Sequence, residues 1–84
     1  MILHLVRHGE SEGNAGISEE IDCGLTVFGR RQAAHTAVRL ARNDVTAVLS
    51  SPFRRTIESA MPLCRHTDLE LELRKKGRTL KYNL

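Results

Sequence analysis

Ile2 to Val6 is a nearly continuous apolar run, interrupted only by His4. Such a run fits a strand buried on both faces, as in a parallel sheet. A polar stretch comes next, in which Gly9, Gly13, Gly16 and Gly24 are set among Asn14 and several acids, and it reads as a long flexible loop. Thr26 then offers an N-cap. Behind it Ala33, Ala37 and Leu40 fall at i, i+4 and i+7, with Ala34, Val38 and Ala41 in the next row. The spacing predicts a helix over 26–42 whose narrow, alanine-rich face suits close packing on a sheet. Val45 to Leu49 reads as a second buried strand, broken by Ser50-Ser51-Pro52. Phe53, Ile57, Ala60, Met61 and Cys64 then share one face of a helix over 53–66, which Pro62 should kink near its end. Leu69-Glu70-Leu71-Glu72-Leu73 alternates strictly, the mark of a strand with one wet face.

Three strands (2–6, 45–50 and 69–73) separated by two helices give the order β-α-β-α-β. That order implies an α/β fold with a parallel sheet. In open α/β sheets, ligands bind beyond the carboxyl ends of the strands. Two segments are expected there: Arg7-His8-Gly9-Glu10 after the first strand and Ser50 to Arg55 after the second.

Charge changes the picture mainly at the end of the chain. The formal net charge is +3, yet residues 1–73 hold eight Lys/Arg against ten Asp/Glu, while residues 74–84 hold five Lys/Arg and no acid. The basic run from Arg74 to Lys81 is read as a solvated, frayed terminus. With three aromatic residues in all, the chain is not expected to bind nucleic acid. No apolar run approaches the roughly 20 residues of a membrane span, so no membrane association is expected either. Cys23 and Cys64 are too few for a disulfide-built miniprotein. Free thiols in a reducing compartment, and hence a cytoplasmic location, are the expectation.

A histidine among arginines has a specific chemistry. A neutral imidazole nitrogen is a nucleophile once its other nitrogen is held by a hydrogen bond that fixes the tautomer. Arginines bind phosphate bidentately. A phosphoryl group held by Arg7 and Arg55 in line with His8 would be placed for transfer to the ring. No phosphate-binding Gly-x-x-x-x-Gly-Lys-Ser/Thr motif and no Cys/His cluster at metal-ligand spacing occurs.

Three segments together resemble a known family. They are Leu5-Val6-Arg7-His8-Gly9-Glu10-Ser11 with Asn14, then Leu25-Thr26-Val27-Phe28-Gly29 with Gln32-Ala33, then Ser50-Ser51-Pro52-Phe53-Arg54-Arg55-Thr56 with Ser59-Ala60. In this order they are similar to the signature of the histidine phosphatase superfamily, the group that contains the phosphoglycerate mutases. The resemblance implies a three-layer α/β/α, phosphoglycerate mutase-like fold, here in truncated β-α-β-α-β form. It implies that His8 is phosphorylated during turnover and that Arg7 and Arg55 bind the phosphate. Asn14, Gly9, Glu10 and Thr26 would contribute to the substrate pocket, with Arg54 at a variable surface position. The partner would be a phosphorylated small molecule, a phosphate monoester, and the reaction would need no metal and no cofactor. The short loop from Ala15 to Gly24 lacks a Gly-Trp pair, which favours phosphatase over glycolytic mutase.

The family pocket also contains a second histidine and a carboxylic acid that protonates the leaving oxygen. His4, His35 and His66 do not follow strand ends and are read as structural. Glu70 and Glu72 are read as lying on a solvated strand face. Residues 1–73 are therefore expected to be the N-terminal part of a histidine phosphatase domain, followed by a divergent basic tail over 74–84. The chain would be the first half of a longer phosphatase, weakly active or inactive alone, or a short relative that lost catalysis. A non-catalytic phosphate- or partner-binding module is the alternative. An exposed sheet edge would favour self-association.

Overall fold

A computed structural model describes residues 4 and 6–82. Its elements are α1 (Val27–Leu40), β1 (Val48–Ser50), α2 (Arg54–Thr67), β2 (Leu71–Lys75) and β3 (Arg78–Lys81). Of the expected first strand, residues 2, 3 and 5 lie outside the described residues. His4 and Val6 are both exposed and carry no strand assignment.

Thr26 starts α1 as its spacing predicts. Its backbone is extended (φ −73°, ψ 171°) and its Oγ1 accepts the Gly29 N–H at 3.0 Å. Of the first predicted row Ala33 and Ala37 are buried, with Gly29 one turn earlier, and Leu40 is half-buried; of the second, Ala34 and Val38 face solvent and Ala41 is half-buried. Among the described residues this face packs on α2 and not on the sheet. Glycine and alanine side chains let two helix backbones approach closely, and that property serves a helix as well as a sheet.

α2 begins without help from its own N-cap residue, because Phe53 contributes no side-chain bond. Asp22, from the loop before α1, supplies the missing acceptor: its Oδ1 takes the Arg54 N–H at 2.7 Å. Pro62 sits inside the helix, where it has no N–H to offer the Glu58 carbonyl. The helix stops at Asp68, which adopts a left-handed conformation (φ 59°, ψ 28°) and releases the chain into β2.

β1 and β2 pair in parallel, Val48 opposite Leu71 and Ser50 opposite Leu73, with α2 as the crossover. The main core forms where α2 lies on these strands: Val48, Cys64 and Leu71 are buried, with Ile57, Met61 and Leu69 packed against them. β1 is expected to be buried on both faces, yet Leu49 is 55% exposed between buried Val48 and Ser50. Only one face of the strand is covered by a described helix.

The sheet is mixed, which corrects the all-parallel expectation. The segment read as a frayed tail is the return strand of a hairpin: β3 runs antiparallel to β2, with Lys75 opposite Arg78 and Glu72 opposite Lys81. The connecting residues Lys76 (φ 50°) and Gly77 (φ 75°) both have positive φ. That is the backbone of a type I′ turn, whose twist matches the strands it joins. β3 remains solvated along its length, so these basic side chains are exposed as expected, but they belong to an ordered strand.

Candidate active site

The segment after Val6 is held in place by the residues that lead into α1. Glu12 N–H bonds the Gly24 carbonyl and Thr26 N–H bonds the Glu10 carbonyl, both at 2.9 Å, around an antiparallel bridge between Ser11 and Leu25. The approach is close at two glycines. A Cβ on Gly9 would collide with the Gly29 carbonyl oxygen, and one on Gly29 with the Glu10 backbone. Beyond the bridge the loop makes a helical turn in which Ser11 and Asn14 cap each other. Asn14 N–H donates to Ser11 Oγ at 3.1 Å, and Ser11 N–H donates to Asn14 Oδ1 at 3.2 Å.

His8 stands at the exit of this arrangement, half-buried. Its Nδ1 lies 2.6 Å from the Gly9 carbonyl oxygen. A carbonyl can only accept, so Nδ1 carries a proton and donates, and in the neutral ring the lone pair is then on Nε2. Two shallow clefts of ≈ 270 and ≈ 290 Å³ flank the residue and share Arg7, His8, Gly9 and Gln32 as walls. The first is closed by Thr36 and Ser59, the second by Glu10, Asn14 and Phe28.

The structure thus brings Arg7, His8, Gly9, Glu10 and Asn14 to one place. Thr26 stands just behind, its Oγ1 donating to Glu10 Oε1 at 2.8 Å as well as capping α1. Arg55 is not among the cleft walls. It is on the same face of α2 as Ser59, one turn earlier, but its Nη1 donates to the Ile21 carbonyl at 3.2 Å and its guanidinium stacks 4.5 Å from the Phe53 ring centroid. The amino end of α2 is occupied as well, by the Asp22 carboxylate. His4, His35 and His66 are exposed and line neither cleft. Glu70 pairs with Lys81 at 3.2 Å on the surface.

Several residues that shape the site had no assigned role in the sequence. Glu58 joins three segments: one carboxylate oxygen accepts the Leu25 N–H at 2.8 Å, and the other meets Arg30 at 3.1 Å and Arg54 at 3.8 Å. Gly24 leaves room for that carboxylate, which a Cβ there would displace. Ser59 and Gln32 hold the backbone next to His8. Gly9 N–H donates to Ser59 Oγ at 3.0 Å and Glu10 N–H to Gln32 Oε1 at 2.8 Å. The motif segments carried Gln32 and Ser59, but contacts across 22 and 50 residues leave no trace in spacing.

Comparison with known proteins gives this geometry a context. The sequence profile of the histidine phosphatase superfamily (branch 1) matches residues 3–82, which takes in the hairpin. An uncharacterized protein of Mycobacterium tuberculosis is 40% identical over 72 residues, covering 83% of this chain and 36% of that protein. A probable phosphoglycerate mutase of Proteus mirabilis is 40% identical over 60 residues, 69% of this chain and 28% of that protein. A glucosyl-3-phosphoglycerate phosphatase of Mycolicibacterium vanbaalenii is 36% identical over 63 residues, 73% of this chain and 28% of that protein. Among solved structures, a mycobacterial glucosyl-3-phosphoglycerate phosphatase in complex with VO3 superposes with a TM-score of 0.71 at 29% identity, covering 79% of this chain and 32% of that one. The chain spans about a third of the length of the curated relatives it matches.

Proposed function

The chain belongs to the histidine phosphatase superfamily, and on that footing we propose that it carries the nucleophilic part of a phosphatase site, with His8 Nε2 attacking a phosphate monoester. The observation that carries this reading is the 2.6 Å contact between His8 Nδ1 and the Gly9 carbonyl, which in the neutral ring places the lone pair on Nε2, in a cleft that Arg7 also lines. In the proposed step Nε2 forms a bond to phosphorus, the ester P–O bond breaks, and the leaving oxygen takes a proton; water later releases phosphate from the histidine. Arg7 binds the equatorial oxygens, and Arg55 joins it by exchanging the Ile21 carbonyl for the phosphate. Asn14 offers its Nδ2 to the same group, since its Oδ1 is taken by the Ser11 N–H. The substrate class follows from relatives named for phosphoglycerate and glucosyl-phosphoglycerate chemistry: a phosphorylated small molecule. A cytoplasmic location accords with two free, buried cysteines.

The proton for the leaving oxygen is the weak point of this site. Glu10 is the carboxylate in the cleft, and Thr26 already donates to it. That observation favours a second reading, a phosphate-binding module without turnover. One experiment separates the two: incubation of the purified chain with p-nitrophenyl phosphate, whose leaving group needs no acid, and then detection of phosphohistidine. The enzyme reading expects label on the wild type and none on His8→Ala. Label that persists in His8→Ala refutes it, while phosphate binding with no label supports the binding module.

A further inference from the structure

The peptide unit between Gly9 and Glu10 is bonded at both ends. Its carbonyl faces His8 Nδ1 at 2.6 Å, and its N–H donates to Gln32 Oε1 at 2.8 Å. The preceding unit, between His8 and Gly9, is also tied, because the Gly9 N–H donates to Ser59 Oγ, whose own proton goes to the Arg55 carbonyl at 2.7 Å. The two peptide planes that follow the histidine are therefore fixed by side chains, one from α1 and one from α2.

We propose that Gln32 is a positioning residue for His8, acting through the Gly9–Glu10 peptide. Gln32 keeps that plane from rotating, and the bond it accepts polarises the unit, so that the Gly9 carbonyl becomes the stronger acceptor for Nδ1–H. The chain of bonds runs Gln32 Oε1 to Glu10 N–H, Gly9 carbonyl to His8 Nδ1–H, and its output is the tautomer that exposes Nε2. A second consequence concerns the ligand. The amides of Gly9 and Glu10 are already committed, so neither is a free donor for an anion in this cleft. Gln32 lies on the exposed side of α1, outside the core, and its Oε1 is given to the Glu10 N–H.

The inference rests on reading His8 as the nucleophile, but its test does not need turnover. In the full 84-residue chain, ¹⁵N shifts of the His8 ring report the tautomer directly. Wild type should show Nδ1–H. In Gln32→Ala the ratio of Nδ1–H to Nε2–H should fall roughly fivefold, the worth of one neutral hydrogen bond, and Gln32→Glu, which keeps an acceptor, should restore it. Phosphorylation of His8 by p-nitrophenyl phosphate should slow in Gln32→Ala by about tenfold or more, the order of loss that follows removal of the hydrogen-bond partner orienting a metal-ligating histidine. An unchanged tautomer in Gln32→Ala overturns the proposal. So does failure of Gln32→Glu to restore it in a variant that melts like wild type. The nucleophile assignment is judged separately, by His8→Ala.

Discussion

A methyl group at Gly29 would have to occupy the space of the Glu10 backbone. On an open helix, glycine to alanine stabilises by up to about 1 kcal/mol. Here the sign should reverse: Gly29→Ala should destabilise by about 1–3 kcal/mol, the cost of overpacking, and displace the segment that carries His8. Chemical denaturation reads the sign without ambiguity. Glu58 gives a graded test. Its partners Arg30 and Arg54 are more than half exposed, so those ion pairs are worth little. Its bond to the buried Leu25 amide is worth more. Glu58→Ala should cost about 1–3 kcal/mol by leaving that amide unpaired. Glu58→Gln, whose amide oxygen can still accept, should cost clearly less, and equal losses would show that the ion pairs dominate after all. Cys64 is a third residue with a measurable signature. Desolvation by burial raises its thiol above the ordinary value, against a smaller opposing pull from Arg65. A raised acid is neutral in the fold, so its contribution is present below the unfolded thiol pKa and is lost as pH rises through the folded one. The wild type should lose stability over that alkaline window more than Cys64→Ala does.

At the level of elements, two positions hold left-handed backbone without the residue that accepts it most easily. Asp68 ends α2 and Lys76 opens the hairpin turn. Asp68→Gly should stabilise by about 0.5–1 kcal/mol, because glycine has no Cβ penalty in this conformation. Gly77 is the converse. Nothing lies near where its Cβ would be, so Gly77→Ala should cost about 1–2 kcal/mol purely through φ and should weaken the β2–β3 pairing first. Loss of the β3 amide protection in hydrogen exchange, with α2 unaffected, is the expected pattern. The start of α2 depends on a residue 32 positions away. Asp22→Ala should remove a cap worth about 1 kcal/mol and release the loop whose Ile21 carbonyl holds Arg55.

The whole molecule is loosely closed. Its accessible surface is 6475 Å², against roughly 5000 Å² expected for a compact monomer of this mass. Its radius of gyration is 12.7 Å, against about 12 Å expected for its length. No described side chain is fully buried, while Val6, Phe28 and Leu49 are each more than half exposed. No helix among the described residues is long and apolar enough to cross a membrane. Exposed apolar surface on this scale favours association. Sedimentation of the 84-residue chain between about 10 and 100 µM should show species heavier than 9.4 kDa, and Leu49→Lys should shift them toward monomer. A single ideal monomer across that range would rule out association through this part of the sheet.

Local chemistry was legible in the sequence because local chemistry decides it. Thr26 caps α1 through its own neighbours, the i, i+4 row of Ala33 and Ala37 is buried, and α2 begins within one residue of its expected start. The proximity of Arg7, His8, Gly9, Glu10 and Asn14 follows from eight consecutive positions folded into one loop. The features that required the tertiary structure depend on contacts that sequence spacing does not encode. Alternation in Leu69 to Leu73 announced a strand but not its partner, and the positive φ of Lys76 turned a basic run into a return strand. Burial of Ala33 and Ala37 on α1 and exposure of Ala34 and Val38 was settled by which surface met them. The direction of Arg55 was settled by an acceptor 34 residues away, and the fixed peptide planes that follow His8 by two helices that converge on one turn. Side-chain type sets which bonds a residue can make; only the assembled chain sets which of them are within reach.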